Sequence, residues 1–140
     1  FTPTYNRAHT LHRAYLSLEQ QTYRDFEWLI VDDGSEDGTE ELVKVWQNEG
    51  TVPIRYLRQP HGGAHRAHQV CLREARGEFI IKLDSDDGCM PQALERLKDH
   101  WDSMPLGERA AFSGVTALCQ DERGELVGTP FPQSPLDCSA

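Results

Sequence analysis

The chain contains no run of lysine or arginine, and its formal net charge is −9. Non-specific attraction to nucleic acid or to an anionic bilayer needs a cationic field, so no nucleic-acid partner is expected. An acidic chain can still hold a phosphate ligand, through a helix N-terminus, a few local cations or a metal. The four cysteines, Cys71, Cys89, Cys119 and Cys138, form no C-x-x-C pair. Their wide spacing suggests no compact disulfide framework and fits a reducing, cytosolic setting. No signal-peptide pattern is present, and no apolar run is long enough to span a bilayer. Neither G-x-S-x-G nor G-x-x-x-x-G-K-[ST] occurs, which removes the main support for a serine hydrolase or a P-loop nucleotide hydrolase. No internal repeat is visible. At 140 residues, 38% hydrophobic and 26% charged, the chain suits one soluble domain with a real core and is short for two.

What is present alternates. Leu11, Ala14, Tyr15 and Leu18 follow the i, i+3, i+4, i+7 pattern of a helix over Thr10 to Leu18. Phe26 to Val31 is a mostly apolar run ending at Asp32-Asp33-Gly34-Ser35, a buried strand followed by a turn. Thr39 to Trp46 is helical, with Leu42, Val45 and Trp46 on one face. A short strand at Ile54 to Leu57 precedes the turn His61-Gly62-Gly63, which opens a helix over Ala64 to Ala75 that Gly77 stops. Phe79 to Leu83 reads as a second buried strand, central to the sheet, and Pro91 suits the first turn of a helix reaching about Trp101. This rhythm predicts an α/β layered fold with a mainly parallel sheet. After Pro105 it changes: Ala110 to Cys119 reads as a strand, Asp121 to Gly124 as a hairpin turn into Glu125 to Val127, and Thr129 to Ala140 as irregular. Phe1-Thr2-Pro3 reads as the end of a strand whose start lies before this sequence.

In an open parallel sheet, ligands bind beyond the carboxyl ends of the strands. Three predicted strands end there in unusual polar sequence: Thr2 to Arg7, Asp32 to Ser35, and Asp84 to Asp87. Asp84 and Asp86 are two apart, so on an extended segment they point the same way and repel unless a cation lies between them. Hard oxygen donors suit Mg²⁺ or Mn²⁺, and Mg²⁺ commonly takes one or two carboxylates plus substrate phosphates. The alternative is an exposed turn, where aspartate is common. Two calcium-loop near matches fail, one with Cys89 where glycine is required and one with Lys44 where the bidentate glutamate belongs. Ser35 or Asp37 is expected to cap the helix that follows, and Asp33 is a candidate for accepting a ligand hydrogen bond. The glycines of His61-Gly62-Gly63 let backbone approach a ligand ahead of a helix N-terminus. His65, His68 and Cys71 lie one turn apart, but no second Cys/His pair has zinc-finger spacing.

PTYNRA, QTYRDFEWLIVDDGSEDGT, HGGAHRAHQ, ARGEFIIKLDSDD and MPQALERL stand in this order, and over about residues 1–105 the chain resembles the family 2 glycosyltransferases. FSGVTALCQDERGELVG resembles a bacterial subgroup of that family more loosely. The resemblance implies a GT-A (Rossmann-like) fold of α/β/α layers, truncated here at both ends. It implies one domain over residues 1–140, with a donor-binding part to about 105 and an acceptor-side region beginning after it. The implied reaction is metal-assisted, inverting transfer of a sugar from a UDP-linked donor, in cell-envelope or polysaccharide synthesis. The acceptor would be a glycan, a lipid-linked group or another hydroxyl. Position by position, Pro3, Thr4, Tyr5 and Arg7 resemble the first nucleotide-contacting loop, and Asp33 the carboxylate that reads the base. His61, Gly63 and His68 resemble further donor contacts. The resemblance implies that Asp84, with Ser85 beside it, lies near the ribose or metal, and that Asp86 is the ligand of Mg²⁺ or Mn²⁺. The implied location is the cytoplasm, or the cytoplasmic membrane face, with peripheral association through parts outside this sequence.

Departures from the family pattern are specific. Ala64 stands where the subgroup tends to carry lysine, with Arg66 a substitute cation, and Gln69 stands where asparagine is common. The family's general base is a carboxylate further downstream, expected beyond residue 140; Asp121, Glu122 and Asp137 are late-chain options only. Two other readings remain open. A nucleotidyltransferase shares the architecture but usually opens with a glycine-rich basic loop, which Pro3 to Arg7 is not. A non-catalytic nucleotide-sugar-binding fragment is the third.

Overall fold

The computed structural model describes residues 1–111, 114, 115 and 117–130. It divides into two compact units, Phe1–Ala93 and Leu94–Ala140.

The first unit is built on three parallel strands, β1 (Thr2–Thr4), β2 (Trp28–Asp32) and β3 (Ile54–Arg58), in the order β1-β2-β3. Thr2 lies opposite Ile30, and Trp28 opposite Ile54. All five residues of β2 are buried, which is why Trp-Leu-Ile-Val reads as one apolar run rather than an alternating one. Helices α1 (His12–Glu19) and α2 (Thr39–Glu49) cover one face, and α3 (Ala64–Glu74) covers the other. On the first face Tyr15 and Trp46 stack at 4.4 Å and 4°, Trp28 lies 6.1 Å from Trp46, and the Trp28 indole N–H donates to Thr2 Oγ1 at 2.8 Å. On the second face Leu29 and Val31 pack with Ala67 and Cys71, flanked by Phe1 and Leu57. Strand alternation sends Trp28 and Ile30 to one face and Leu29 and Val31 to the other.

The α1 pattern holds: Leu11, Ala14, Tyr15 and Leu18 are all buried. In α2 the predicted face is rotated. Thr39, Val43 and Trp46 are buried, whereas Val45 is 54% exposed, because the seam onto the sheet is set by Trp46 stacking on Tyr15. The α3 helix ends at Ala75, whose extended ψ of 139° breaks it before Gly77.

Among the described residues, the predicted central strand at Phe79 to Leu83 is not assigned as a strand and pairs in parallel with Phe1. Phe1 N donates to Ile81 O at 2.8 Å and Leu83 N to Phe1 O at 2.9 Å, a single parallel bridge. The bridge sets Lys82 opposite Phe1, the chain turns at Asp84, and Ile80 is 43% exposed while Leu83 is buried. The segment therefore lies outside β1, with its carboxyl end still at the same rim.

The second unit carries most of α4 (Ala93–Ser103) and an antiparallel pair, β4 (Cys119–Gln120) and β5 (Leu126–Val127). The Arg109 guanidinium donates to Asp102 O and Met104 O and lies 5.9 Å from the centre of the Trp101 ring, fastening the end of α4. The expected strand over Ala110 to Cys119 is not formed as such: Arg109–Ala111 is a 3-10 turn and only Cys119 and Gln120 pair, while residues 112, 113 and 116 lie outside the described set. The hairpin turn is where expected. Asp121 Oδ1 accepts from Arg123 N at 2.8 Å and Glu125 N at 2.9 Å, so this candidate base carboxylate is occupied as a turn brace. Residues 131–140, including Asp137, also lie outside the described set. No helix among the described residues is long and apolar enough to cross a membrane.

Candidate functional site

The carboxyl ends of β1, β2 and the Phe79–Leu83 segment converge, as the parallel sheet requires. Between them lies a cleft of about 410 Å³. Its wall includes Pro3, Thr4, Tyr5 and Arg7 from the first loop, Asp33 from the second, and Asp84, Ser85 and Asp86 from the third. His61 and Gly63 close it from the turn before α3. The expected site residues are thus brought together with one exception. His68 is absent from the lining; its ring meets Phe1 edge-on at 5.0 Å and its Nδ1 lies 3.2 Å from Ala64 O. Ala67, one residue before it, lines the cleft, while the His68 ring is turned to Phe1.

Asp33 is the most heavily engaged side chain. Its Oδ1 accepts from Gln59 Nε2 at 2.6 Å and Gly62 N at 3.0 Å, and its Oδ2 accepts from Gly63 N at 2.7 Å. His61 Nδ1 lies 2.8 Å from the same Oδ2. Burial alone would raise this carboxyl, but the hydrogen bonds from Gln59, Gly62 and Gly63 and the nearby His61 outweigh it and hold the pKa below the ordinary value. Gly34 is required for the same packing: a Cβ there would stand 3.1 Å from His61 N and 3.3 Å from Gln59 O, at a φ of +86°. The neighbouring carboxylate has a different fate. Asp32 is fully buried on the α1/α2 face, accepting from Ser35 N at 2.8 Å and from the Tyr56 hydroxyl. Burial and this carboxylate together push the Tyr56 phenol far above the usual tyrosine range.

Across the cleft, Asp84 to Asp87 form a turn, closed by Asp87 N donating to Asp84 O at 3.2 Å. The predicted extended alignment of Asp84 and Asp86 is therefore replaced by a bend, yet both still line the cleft. Each has a cation beside it. Lys82 Nζ is 2.8 Å from Asp84 Oδ1, and Arg7 Nη1 is 3.8 Å from Asp86 Oδ2. Both carboxylates are about half exposed, so their charge is open to a ligand from the cleft. No group of three ligating side chains occurs among the described residues. Two hard carboxylates at the mouth of a cleft, with remaining positions left to a ligand's oxygens, fit a divalent cation of the Mg²⁺ type and do not fit zinc.

Tyr5 and His61 stack across the mouth at 4.2 Å and 27°. The first loop is tied to the second: Asn6 N donates to Ser35 Oγ at 2.9 Å, Glu36 N to Asn6 Oδ1 at 2.8 Å, and Ala8 N to Asp37 Oδ2 at 2.9 Å. Neither Ser35 nor Asp37 is the N-cap of α2. Gly38 holds that position with no side-chain cap bond, and Asp37 Oδ1 reaches only one residue in, to Thr39. Ala64, where the sequence departs from the subgroup's lysine, lines the cleft from α3; sequence reading missed Ala67, which also lines it, and Gln59, which braces Asp33. The buried i, i+4 face of α3 through Ala67 and Cys71 was the available signal for Ala67. Nothing in the local pattern marks Gln59.

Fold and cleft together define a three-layer α/β domain with a polar, carboxylate-bearing site at the carboxyl rim of a parallel sheet. The Glycosyl transferase family 2 model matches residues 1–129. The chain belongs to glycosyltransferase family 2, and its fold is GT-A. It is 34% identical over 100 residues to the poly(ribitol-phosphate) beta-N-acetylglucosaminyltransferase TarP of Staphylococcus aureus, covering 70% of this chain and 31% of TarP. The S. aureus TarS 1-349 structure in complex with UDP-GlcNAc superposes with a TM-score of 0.67 at 30% identity, covering 72% of this chain and 30% of that one. The mannosyltransferase PcManGT of Pyrobaculum calidifontis, in complex with GDP-Man and Mn²⁺, superposes at 0.64 with 28% identity, covering 74% and 31%. The chain spans about a third or less of the first curated relatives it matches.

Proposed function

We propose that this chain forms the donor-binding part of an inverting glycosyltransferase that takes a UDP-linked sugar and transfers it, with metal assistance, to a hydroxyl acceptor of a bacterial envelope polysaccharide. The observation that supports it most is the convergence of three loops on one cleft, with carboxylates on one wall and an aromatic pair at its mouth. TarS in complex with UDP-GlcNAc supports a UDP-linked donor, and PcManGT with Mn²⁺ supports a divalent metal.

In this reading Pro3, Thr4, Tyr5 and Arg7 form the nucleotide side of the cleft, with Asp33, His61 and Gly63 opposite. Asp86, with Asp84, would hold Mg²⁺ or Mn²⁺. When bound, the cation supplies charge neutralisation for the departing diphosphate. Arg7 and Lys82 each lie beside one of these carboxylates and are placed to exchange that partner for diphosphate oxygens. Arg66, whose side chain lies across Gly62, is the α3 cation next to the position of Ala64. Transfer also needs a base for the acceptor proton. Asp33 is engaged by four neighbours and the other two cleft carboxylates face the metal role, so we assign the base to the acceptor side, outside the cleft lining.

Calorimetric titration with UDP, GDP, CDP and UTP, with and without Mn²⁺, tests the reading. Metal-dependent binding of UDP with one-to-one stoichiometry is expected. Absence of UDP binding to the folded chain refutes the donor site, and preference for the triphosphate with pyrophosphate release favours a nucleotidyltransferase.

A further inference from the structure

Asn6 is the one residue other than glycine with positive φ among those described, at 52°. It stands between Tyr5 and Arg7, both of which line the cleft. A left-handed residue reverses the local direction of the chain, and asparagine tolerates it better than most side chains. Here the reversal is held from outside the loop. Ser35, which is buried, accepts from Asn6 N; the Asn6 amide oxygen accepts in return from Glu36 N; and Asp37 accepts from Ala8 N. Three bonds over three consecutive residues, Ser35, Glu36 and Asp37, therefore fix the backbone on both sides of Arg7. Arg7 in turn faces Asp86 at 3.8 Å. The Asp37 carboxyl is held below its ordinary pKa, burial being outweighed by its bonds to Thr39 and Ala8, so it stays an acceptor at neutral pH.

We infer that Asn6, Ser35 and Asp37 are positioning residues of the donor cleft: they set the left-handed turn that presents Tyr5 and Arg7, and they touch no ligand themselves. None of the three lines the cleft. Among the described residues, Asn6 and Ser35 make no bond to the start of α2, and Asp37 divides its carboxylate, Oδ1 to Thr39 N and Oδ2 to Ala8 N. The positioning role rests on the reading that the cleft takes a nucleoside diphosphate, and it predicts that nucleotide affinity depends on groups that never meet the nucleotide.

The test measures UDP affinity with Mn²⁺ for Asn6→Ala, Asn6→Gly, Asp37→Ala, Arg7→Ala and the double variant Asn6→Ala/Arg7→Ala, with thermal unfolding and amide hydrogen exchange on each. Asn6→Ala is expected to weaken UDP binding about tenfold. Asn6→Gly should weaken it less, because glycine keeps the positive φ while losing the side-chain bond. In the Arg7→Ala background the Asn6→Ala loss should shrink to about twofold or less, as coupled residues require. Amides of Tyr5 to Ala8 should exchange faster in Asn6→Ala and Asp37→Ala without any nucleotide. Variants that lose stability but bind UDP as tightly as the parent, or whose losses add fully to that of Arg7→Ala, overturn the inference. Failure of the parent chain to bind UDP overturns the donor reading instead, and the exchange of Tyr5 to Ala8 then decides the positioning claim alone: unchanged exchange refutes it.

Discussion

Replacing Asp33 by alanine removes one carboxylate and strands the donors that it holds. Gln59 Nε2, Gly62 N and Gly63 N all lose their acceptor, and His61 Nδ1 loses the carboxylate oxygen 2.8 Å away. A buried donor left without a partner costs about 1–3 kcal/mol. Both glycines are partly exposed, so water recovers some of this, and the lower end applies to each donor. Three donors at about 1 kcal/mol each give about 3 kcal/mol, which for a chain of this size lowers the melting temperature by roughly 10–15 °C. Asp33→Asn keeps one acceptor oxygen but turns an NH₂ group toward the remaining donors, so it should fall between alanine and the parent. Urea unfolding followed by tryptophan fluorescence reads both, since Trp28 and Trp46 are buried in the sheet's other face. If Asp33→Ala loses less than about 0.5 kcal/mol, the carboxylate does not hold the Gln59–Gly63 turn and the account of the cleft wall is wrong.

Trp46→Ala removes the ring stacked on Tyr15 and should cost about 3–5 kcal/mol, read by the same urea unfolding through Trp28; a loss below about 1 kcal/mol refutes the aromatic layer as the seat of α2. Acid should destabilise the fold in a defined window. Asp33, Asp37 and Glu27 all have carboxyl pKa values lowered in the folded state, each because hydrogen bonds or ion pairs outweigh burial. Groups with depressed folded pKa contribute stability above their unfolded values and lose it as pH falls through the folded ones, so the unfolding free energy should decline from about pH 5 downward and keep declining through about pH 3. Flat stability across that interval contradicts the assignment.

Much of the first unit was legible because one signal dominated each element. The α1 periodicity and the continuous apolar run of β2 report burial directly, and both were formed as read. Rim chemistry was legible for a topological reason: parallel strands place all their carboxyl ends on one side, so Thr2 to Arg7, Asp33 and Asp84 to Asp86 had to meet. What failed depended on contacts that pattern cannot show. Ser35 and Asp37 have the residue types of helix caps, but Ser35 Oγ and Asp37 Oδ2 accept from a loop some thirty residues earlier in the chain, and only Asp37 Oδ1 turns to Thr39 at the start of α2. Phe79 to Leu83 has the apolarity of a strand, and among the described residues its pairing is the single bridge at Phe1. His68, expected as a donor contact from the family resemblance, meets Phe1 and stands outside the cleft lining. The two aspartates Asp32 and Asp33 are indistinguishable by type; only strand alternation sends one to the aromatic face and the other to the cleft.

The central claim is that a nucleoside diphosphate and a divalent cation meet at the Asp84–Asp86 turn. Paramagnetic broadening by Mn²⁺ of the assigned amide spectrum, with UDP present, tests it most directly. Broadening should centre on Asp84, Ser85 and Asp86, extend to Tyr5, Arg7 and Gly63, spare Trp46 and Glu49 at the far end of α2, and vanish in Asp86→Ala. Broadening centred elsewhere, or unchanged in Asp86→Ala, would contradict the account.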